Sequence, residues 1–272
     1  MRSWRTLGAC FVLAGLVGGP SRVAAQVQSV DFAPIPDLTI VEAPLSQAYV
    51  SDLMRTLDAV LSRQKDATKW ADDARLAFWR FTNRLATGVL AASDRELVVQ
   101  HLDALKVGHP KEADLIDQYE QQVRTRMIGM VAPEIEGKDY DGVPFKLSDY
   151  RGKVVVLTFS GEWCGPCRSE YPYQKFLMDL YKDRPFTVLT VDSDASLDVA
   201  KKAKVDHGLT YRSWWDGYGE KNTSGPIATA WAVTGWPTIY VIDANGVIRF
   251  HELRHEDLIK GVNQLMDAMA AK

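Results

Sequence analysis

The sequence predicts an α/β fold, a central mixed sheet flanked by helices, preceded by a small all-α domain. Three observations carry that prediction. From Ser46 to about Met127 the apolar residues recur at helical spacing. Beyond Pro133, short β-branched runs alternate with helical segments. Two turn signals, Asp141-Gly142 and Asp243-Ala-Asn245-Gly246, sit between extended runs and mark hairpins.

The elements follow in order. Arg2 and Arg5 precede an apolar stretch, Cys10 to Val17, and Val23-Ala24-Ala25 offers small residues for cleavage. Residues 1–25 therefore read as a secretory signal, too short for a membrane span, with an uncleaved N-terminal anchor as the alternative. Leu7-Gly8-Ala9-Cys10 is no lipoprotein box, because the apolar core follows that cysteine. Residues 26–45, with Pro34, Pro36 and Pro44, read as an extended lead-in. Residues 46–130 read as the helical domain, of about eighty residues, enough for its own core. Val50, Leu53, Met54, Leu57, Val60 and Leu61 form one stripe, and Trp70, Ala74, Ala77, Phe78, Phe81 and Leu85 a second. Ser93-Asp-Arg-Glu96 has the form of a capping box opening a third helix through Leu97 and His101. Leu115, Ile116, Tyr119, Val123 and Met127 define a fourth.

Residues 131–272 form the second predicted domain. An Asp-Gly hairpin comes first, then a strand at Val154–Phe159 that is continuous and β-branched, as a strand buried on both faces should be. A helix follows from about Arg168 to Tyr181, then a strand at Phe186–Val191 and a helix at Leu197–His207. Tyr211–Trp215 is extended, Pro237–Ile242 and Val247–Phe250 flank the second turn, and Leu258, Ile259, Val262, Leu265, Met266 and Met269 share one face of a closing helix.

Composition narrows the function. At 46% hydrophobic and 25% charged, the chain belongs with folded globular proteins and not with disordered ones. Cleavage after Ala25 removes three arginines and no acids, taking the net charge from −3 to −6. No basic run remains, which argues against a nucleic-acid partner. Of three cysteines, Cys10 leaves with the signal. The remaining two are Cys164 and Cys167, too few for a disulfide-stabilised secreted scaffold.

Trp163-Cys164-Gly165-Pro166-Cys167 places those two thiols one helical turn apart where a strand gives way to a helix. At a helix N-terminus, free backbone N–H groups and the helix dipole favour thiolate over thiol. Thiolate is the attacking species in disulfide exchange, and the second cysteine is close enough to resolve the mixed disulfide. Zinc ligation wants three or four protein ligands, and neither a second cysteine pair nor a suitable histidine spacing exists. His251 and His255 are four apart, but a strand gives way to a helix between them, so they read as surface or structural residues. A purely structural disulfide closing so small a loop would stabilise little. The redox reading stands.

Phe159-Ser-Gly-Glu-Trp-Cys164-Gly-Pro-Cys167-Arg-Ser-Glu170-Tyr-Pro172, with Gly235-Trp236-Pro237-Thr238 and Ile242-Asp243, resembles the TlpA/ResA-like branch of thioredoxin-fold proteins over about residues 131–270. The resemblance implies a thioredoxin-like second domain and a redox-active disulfide Cys164–Cys167. It implies that Pro237 is a cis-proline facing the cysteines and presenting the backbone of Trp236 to a substrate peptide. Thioredoxins carry a buried acid six residues before the first cysteine; Thr158 stands there and cannot move a proton. The branch instead uses a glutamate three residues after the second cysteine, here Glu170, on the same helical face as Cys167. A carboxyl beside a thiol can pass protons in general acid–base fashion.

Trp163 is expected to pack beside the site and shield the sulfur, with plain core packing as the bland alternative. Arg168 either favours the thiolate or is an exposed helix cation. Trp214-Trp215-Asp216 and the loop Gly217–Pro226 are expected to rim the substrate face. Together these residues predict an exported thiol–disulfide oxidoreductase, periplasmic or otherwise extracytoplasmic. It would act on disulfide-containing protein substrates, with the Gly165-Pro166 dipeptide favouring the reductive direction. A separate membrane or periplasmic electron donor would regenerate it, and no cofactor or metal is expected. Two rivals remain. A peroxiredoxin-like peroxidase would want proline near position 157 and a hydroxyl three residues before the cysteine, where the chain has Leu157 and Gly161. A non-enzymatic partner-binding protein on the same scaffold would have no need of both cysteines, Pro237 and Glu170 together.

Overall fold

The computed structural model describes residues 44–63, 70–217 and 224–271, all within one compact unit, Pro34–Lys272. The expected signal at 1–25 and all of the lead-in but Pro44 and Leu45 lie outside the described residues.

Four helices come first. In α1 (Gln47–Leu61) the Ser46 hydroxyl accepts the Tyr49 N–H and caps the first turn, and the predicted stripe is buried except for the partly covered Met54. In α2 (Trp70–Leu85) Ala74, Ala77, Phe78, Phe81 and Leu85 are buried, as spaced, with Thr82 beside them, while the side chain of Trp70 lies outside the described residues. α3 (Ala92–Gly108) corrects the capping-box expectation. Its cap is Ala91, without a side-chain bond, because the Arg95 N–H already donates to the Ala91 carbonyl at 2.8 Å. Ser93 is thus inside the first turn and cannot cap it. A 3₁₀ turn at Pro110–Glu112 leads into α4 (Ala113–Thr125), which buries Leu115, Ile116, Tyr119 and Val123. Tyr119 stacks on Phe78, with ring centroids 5.3 Å apart, and its hydroxyl donates to the Arg75 carbonyl at 2.9 Å.

The first hairpin pairs β1 (Glu136–Lys138) with β2 (Pro144–Lys146), antiparallel. Gly142 has a φ of 82° in its turn, and the Asp139 carboxylate accepts the N–H groups of Asp141 and Val143. The main sheet contains β3 (Val154–Ser160), β4 (Phe186–Asp192), β5 (Arg212–Trp215), β6 (Thr238–Ile242) and β7 (Ile248–His251), in the order β5-β4-β3-β6-β7. β3 is parallel to β4 and antiparallel to β6. Helices α5 (Gly165–Leu180), α6 (Leu197–Asp206), α7 (Pro226–Ala230) and α8 (His255–Ala270) complete the α/β half. This is a thioredoxin-like sheet with both faces covered.

Alternation along β3 sorts the core. Val155, Leu157 and Phe159 face a cluster with Phe145, Trp214, Trp231 and Tyr240, whereas Val154 and Val156 face Leu177 of α5 and Leu258, Val262 and Met266 of α8. The helical segment joins the first face. Gln122 Nε2 donates to the Ala232 carbonyl at 2.8 Å and the buried Arg126 to that of Ala230 at 3.1 Å, while Gly129 N–H bonds Ile248 O at 2.9 Å. Among the described residues no helix is long and apolar enough to cross a membrane.

Candidate active site

β3 delivers the motif. Its last residues pair with β6 on one side, Phe159 opposite Thr238, so the segment after β3 and the segment before β6 emerge at the same end of the sheet. Cys164 is the N-cap of α5, with extended backbone (φ −92°, ψ 106°), and its sulfur accepts the Cys167 N–H at 3.1 Å. Both cysteines are buried and joined in a disulfide, Cα to Cα 5.2 Å. Pro166 in the first turn has no N–H to leave unpaired. The Trp236-Pro237 peptide bond is cis.

Trp163 and Trp236 join the two segments. Their rings meet edge to face, 5.7 Å between centroids. Trp163 is 44% exposed, so core packing does not describe it. Its indole lies across Gly161, where any Cβ would stand 2.4 Å from Nε1. Pro237 is fixed from behind, because Arg254 donates to its carbonyl and also pairs with Glu252. Burial raises the Glu252 carboxyl, but His251 and Arg254 outweigh it and hold the group below the usual carboxylate range.

Glu170 is 1% exposed, one turn along α5 from Cys167. Its Oε2 accepts the His255 backbone N–H at 3.1 Å, and Oε1 lies 3.3 Å from His255 Nε2. Thr158, at the position of the thioredoxin acid, receives a hydrogen bond from Gln174 Nε2 at 3.2 Å; Gln174 Oε1 in turn accepts from Tyr211 at 2.8 Å. That chain is neutral. Arg168 is exposed and donates to the Glu162 carbonyl, bracing the turn before Cys164.

The expectation for Trp214-Trp215-Asp216 is corrected. Trp214 is fully buried, stacked on Phe145 at 4.0 Å, and Asp216 caps α7 by accepting the N–H groups of Ile227 and Ala228. The buried side of β5 takes Trp214 because side chains alternate along a strand. Only Trp215 reaches the surface, its indole N–H donating to the Asp194 carbonyl at 3.0 Å. Most of the following loop, 218–223, lies outside the described residues.

Sequence reasoning missed Asp194 and Arg254, and it read His255 only as a surface or structural residue. Asp194 Oδ1 accepts the Glu162 N–H at 2.7 Å, and Asp192 Oδ1 accepts the Asp194 N–H at 2.8 Å. Tyr140 donates its hydroxyl to Asp192 Oδ2 at 2.8 Å. Burial first, then the Asp194 charge, pushes the Asp192 carboxyl up to about 7. The sequence signal was Val191-Asp192-Ser193-Asp194, an acid pair at the carboxyl end of a strand beside the motif strand. Among the described residues, no group of three or more His, Cys, Asp or Glu could hold a metal.

A family profile described as AhpC/TSA matches residues 128–251. The thiol-disulfide oxidoreductase ResA of Geobacillus thermodenitrificans is 34% identical over 123 residues, 45% of this chain and 67% of that protein. ResA of Geobacillus kaustophilus is 36% identical with the same coverage. This chain belongs to the ResA thiol–disulfide oxidoreductase family. The ResA-like segment is the α/β half, and helices α1 to α4 lie N-terminal to the profile match. Among solved structures, the thioredoxin domain of a thiol-disulfide oxidoreductase from Bacteroides vulgatus matches with 29% identity, covering 52% of this chain and 99% of that one at a TM-score of 0.47.

Proposed function

We propose that this ResA-like chain is an exported reductant of protein disulfides, working through Cys164 and Cys167. The observation that supports it most is the cap geometry. The Cys164 sulfur accepts a backbone N–H at the start of a sixteen-residue helix, where developing negative charge on sulfur is favoured.

In the reduced state the Cys164 thiolate attacks one sulfur of a substrate disulfide. A bond forms between Cys164 Sγ and that sulfur, and the other substrate sulfur leaves as thiolate. Cys167 then gives its proton to Glu170, attacks Cys164 Sγ, and expels the second substrate thiolate, leaving the Cys164–Cys167 disulfide. Two electrons have passed to the substrate. A separate membrane or periplasmic dithiol donor restores the pair. Trp163, Trp236 and Pro237 form the surface on which the substrate chain lies, and no cofactor takes part.

Export rests on Arg2, Arg5 and the apolar stretch to Val17 with the small residues before Gln26. N-terminal sequencing of the protein from its host should begin at Gln26. We also divide the chain into a helical domain, 46–130, and a thioredoxin-like domain, 131–272. The distinct hydrophobic stripes of α1 to α4 support that division.

The decisive experiment is Cys167→Ser expressed in the host. It should accumulate partner proteins on Cys164 as mixed disulfides that a reductant releases. Absence of any Cys164-dependent adduct overturns the exchange reading. Rapid consumption of hydrogen peroxide with a thiol donor would point to the peroxidase rival instead.

A further inference from the structure

The mechanism above gives Glu170 a proton at each turnover, yet Glu170 is 1% exposed and must pass that proton on. We infer that His255 is the proton conduit between the buried Glu170 carboxyl and solvent, a positioning residue that acts on the sulfurs only through Glu170. The inference rests on the proposed exchange function and deepens it.

The geometry makes the case. Glu170 Oε2 is tied to the His255 backbone N–H, while Oε1 is buried without a hydrogen-bond partner among the described groups. The cationic or proton-bearing atom at Oε1 is His255 Nε2, 3.3 Å away. The same Nε2 lies 3.4 Å from Ser169 Oγ. Ser169 has one hydroxyl proton, and it goes to the Pro166 carbonyl at 2.7 Å. Ser169 therefore accepts from the imidazole, so Nε2 carries the hydrogen. Nε2 lies 3.4 Å from Ser169 Oγ and 3.3 Å from the orphaned Glu170 Oε1, so a small turn of the ring aims it at the carboxyl. The ring also meets solvent, since the His255 side chain is 45% exposed.

The other groups around the ring hold it without supplying a competing route. Tyr173 of α5 packs edge to face on the imidazole at 5.1 Å, and its hydroxyl donates to Glu256 at 3.2 Å. Arg254, the preceding residue, is turned to Glu252 and the Pro237 carbonyl. The titratable groups facing the imidazole are thus Glu170 and Tyr173 from α5 and Glu256 from its own helix.

The steps balance in both directions. When a donor thiolate attacks Cys164, the Cys164–Cys167 bond breaks, Cys167 leaves as thiolate and takes the Glu170 proton. His255 in its doubly protonated form then gives its Nε2 proton to Glu170 Oε1, is left as a neutral imidazole with Nδ1–H, and regains a proton from water. When substrate is reduced, Glu170 takes the Cys167 proton and hands it to the bare Nε2 of a neutral imidazole that carries Nδ1–H. The resulting cation releases a proton to water. Imidazole suits the task because its two ring nitrogens can take a proton on one side and release one on the other.

The test is His255→Asn, with His255→Gln as a second variant. Position 255 has a φ of 51°, a left-handed conformation that asparagine tolerates well, so the backbone bond to Glu170 should persist. Stopped-flow reduction of a protein disulfide from pH 5 to 9 should show both variants about tenfold slower at pH 7, with a flattened pH profile. Added imidazole should restore most of the rate. In a Glu170→Gln background the same substitution should change nothing further, as two residues on one path require. Superimposable pH profiles for variant and parent overturn the relay. So does an undiminished slowing in the Glu170→Gln background, or a slowing that imidazole does not relieve. If the parent protein itself exchanges no disulfides, the proposed function fails, and the relay with it.

Discussion

Asp194 Oδ1 accepts the backbone N–H of Glu162 at 2.7 Å, which ties the end of the β4 strand to the turn two residues before Cys164. Asp194 is itself held by β4, since the Asp192 carboxylate accepts its backbone N–H at 2.8 Å. Cys164, the proposed nucleophile, is therefore placed in part by an acid that follows a neighbouring strand.

Replacing that acid should loosen the turn. Asp194→Ala leaves the Glu162 N–H without its charged acceptor, and a lost bond of this kind costs about 1–3 kcal/mol. Urea unfolding should show the lower midpoint, and disulfide exchange should slow in parallel. Asp194→Asn keeps an acceptor and should lose less. Equal stability for Asp194→Ala and parent would mean the bond positions nothing.

Asp192 should give the fold a pH dependence of known sign. Burial raises its carboxyl from an unfolded value of 3.8 to about 7, so the folded state holds a proton that the unfolded chain has released. Its contribution to stability is present in full below about pH 4 and is lost as pH rises through about 7. Urea midpoints measured from pH 4 to 8 should therefore fall, and Asp192→Asn should flatten that slope. A slope that survives the substitution unchanged assigns it to other groups.

The indole pair should matter for large substrates more than for small ones. Edge-to-face aromatic pairs contribute about 0.5–1.5 kcal/mol beyond burial, and Trp163 and Trp236 spread theirs across the two segments beside the cysteines. Trp163→Ala and Trp236→Ala should each lower kcat/KM for a protein disulfide by about tenfold, a change of about 1.4 kcal/mol. Oxidised glutathione should be reduced at nearly the parental rate. Equal losses on both substrates would assign the pair to the chemistry or the fold instead.

The helical layer should be felt at the proline segment. Gln122→Ala strands the buried Ala232 carbonyl, three residues before Gly235, and should cost about 1–3 kcal/mol. A stability indistinguishable from the parent would show that α4 does not brace this segment.

Much of the fold was legible because periodicity is local. The continuous apolar run before the motif could only be a strand covered on both faces, and Asp-Gly and Asn-Gly fixed the two hairpins. Helix starts were less legible. Ser93 and Glu96 have the right spacing for a capping box, yet bonding from Ala91 begins the helix early, and sequence spacing does not register where a hydrogen bond forms. The aromatic run Trp214-Trp215 read as a rim, and strand alternation divided it between core and surface.

By itself the sequence pointed to the groups proposed for the site: two cysteines at helical spacing, a glutamate one turn on, and a proline before a strand. These depend on neighbours along one chain segment, where spacing and chemistry coincide. Only the tertiary structure decided what surrounds them. Asp194 under the motif turn, Arg254 on the proline carbonyl and His255 against Glu170 come from strands and helices 30 or more residues away or across the sheet edge. Packing of β4 beside β3, and of α8 beside α5, brings them there, and such contacts leave no periodic trace in the sequence.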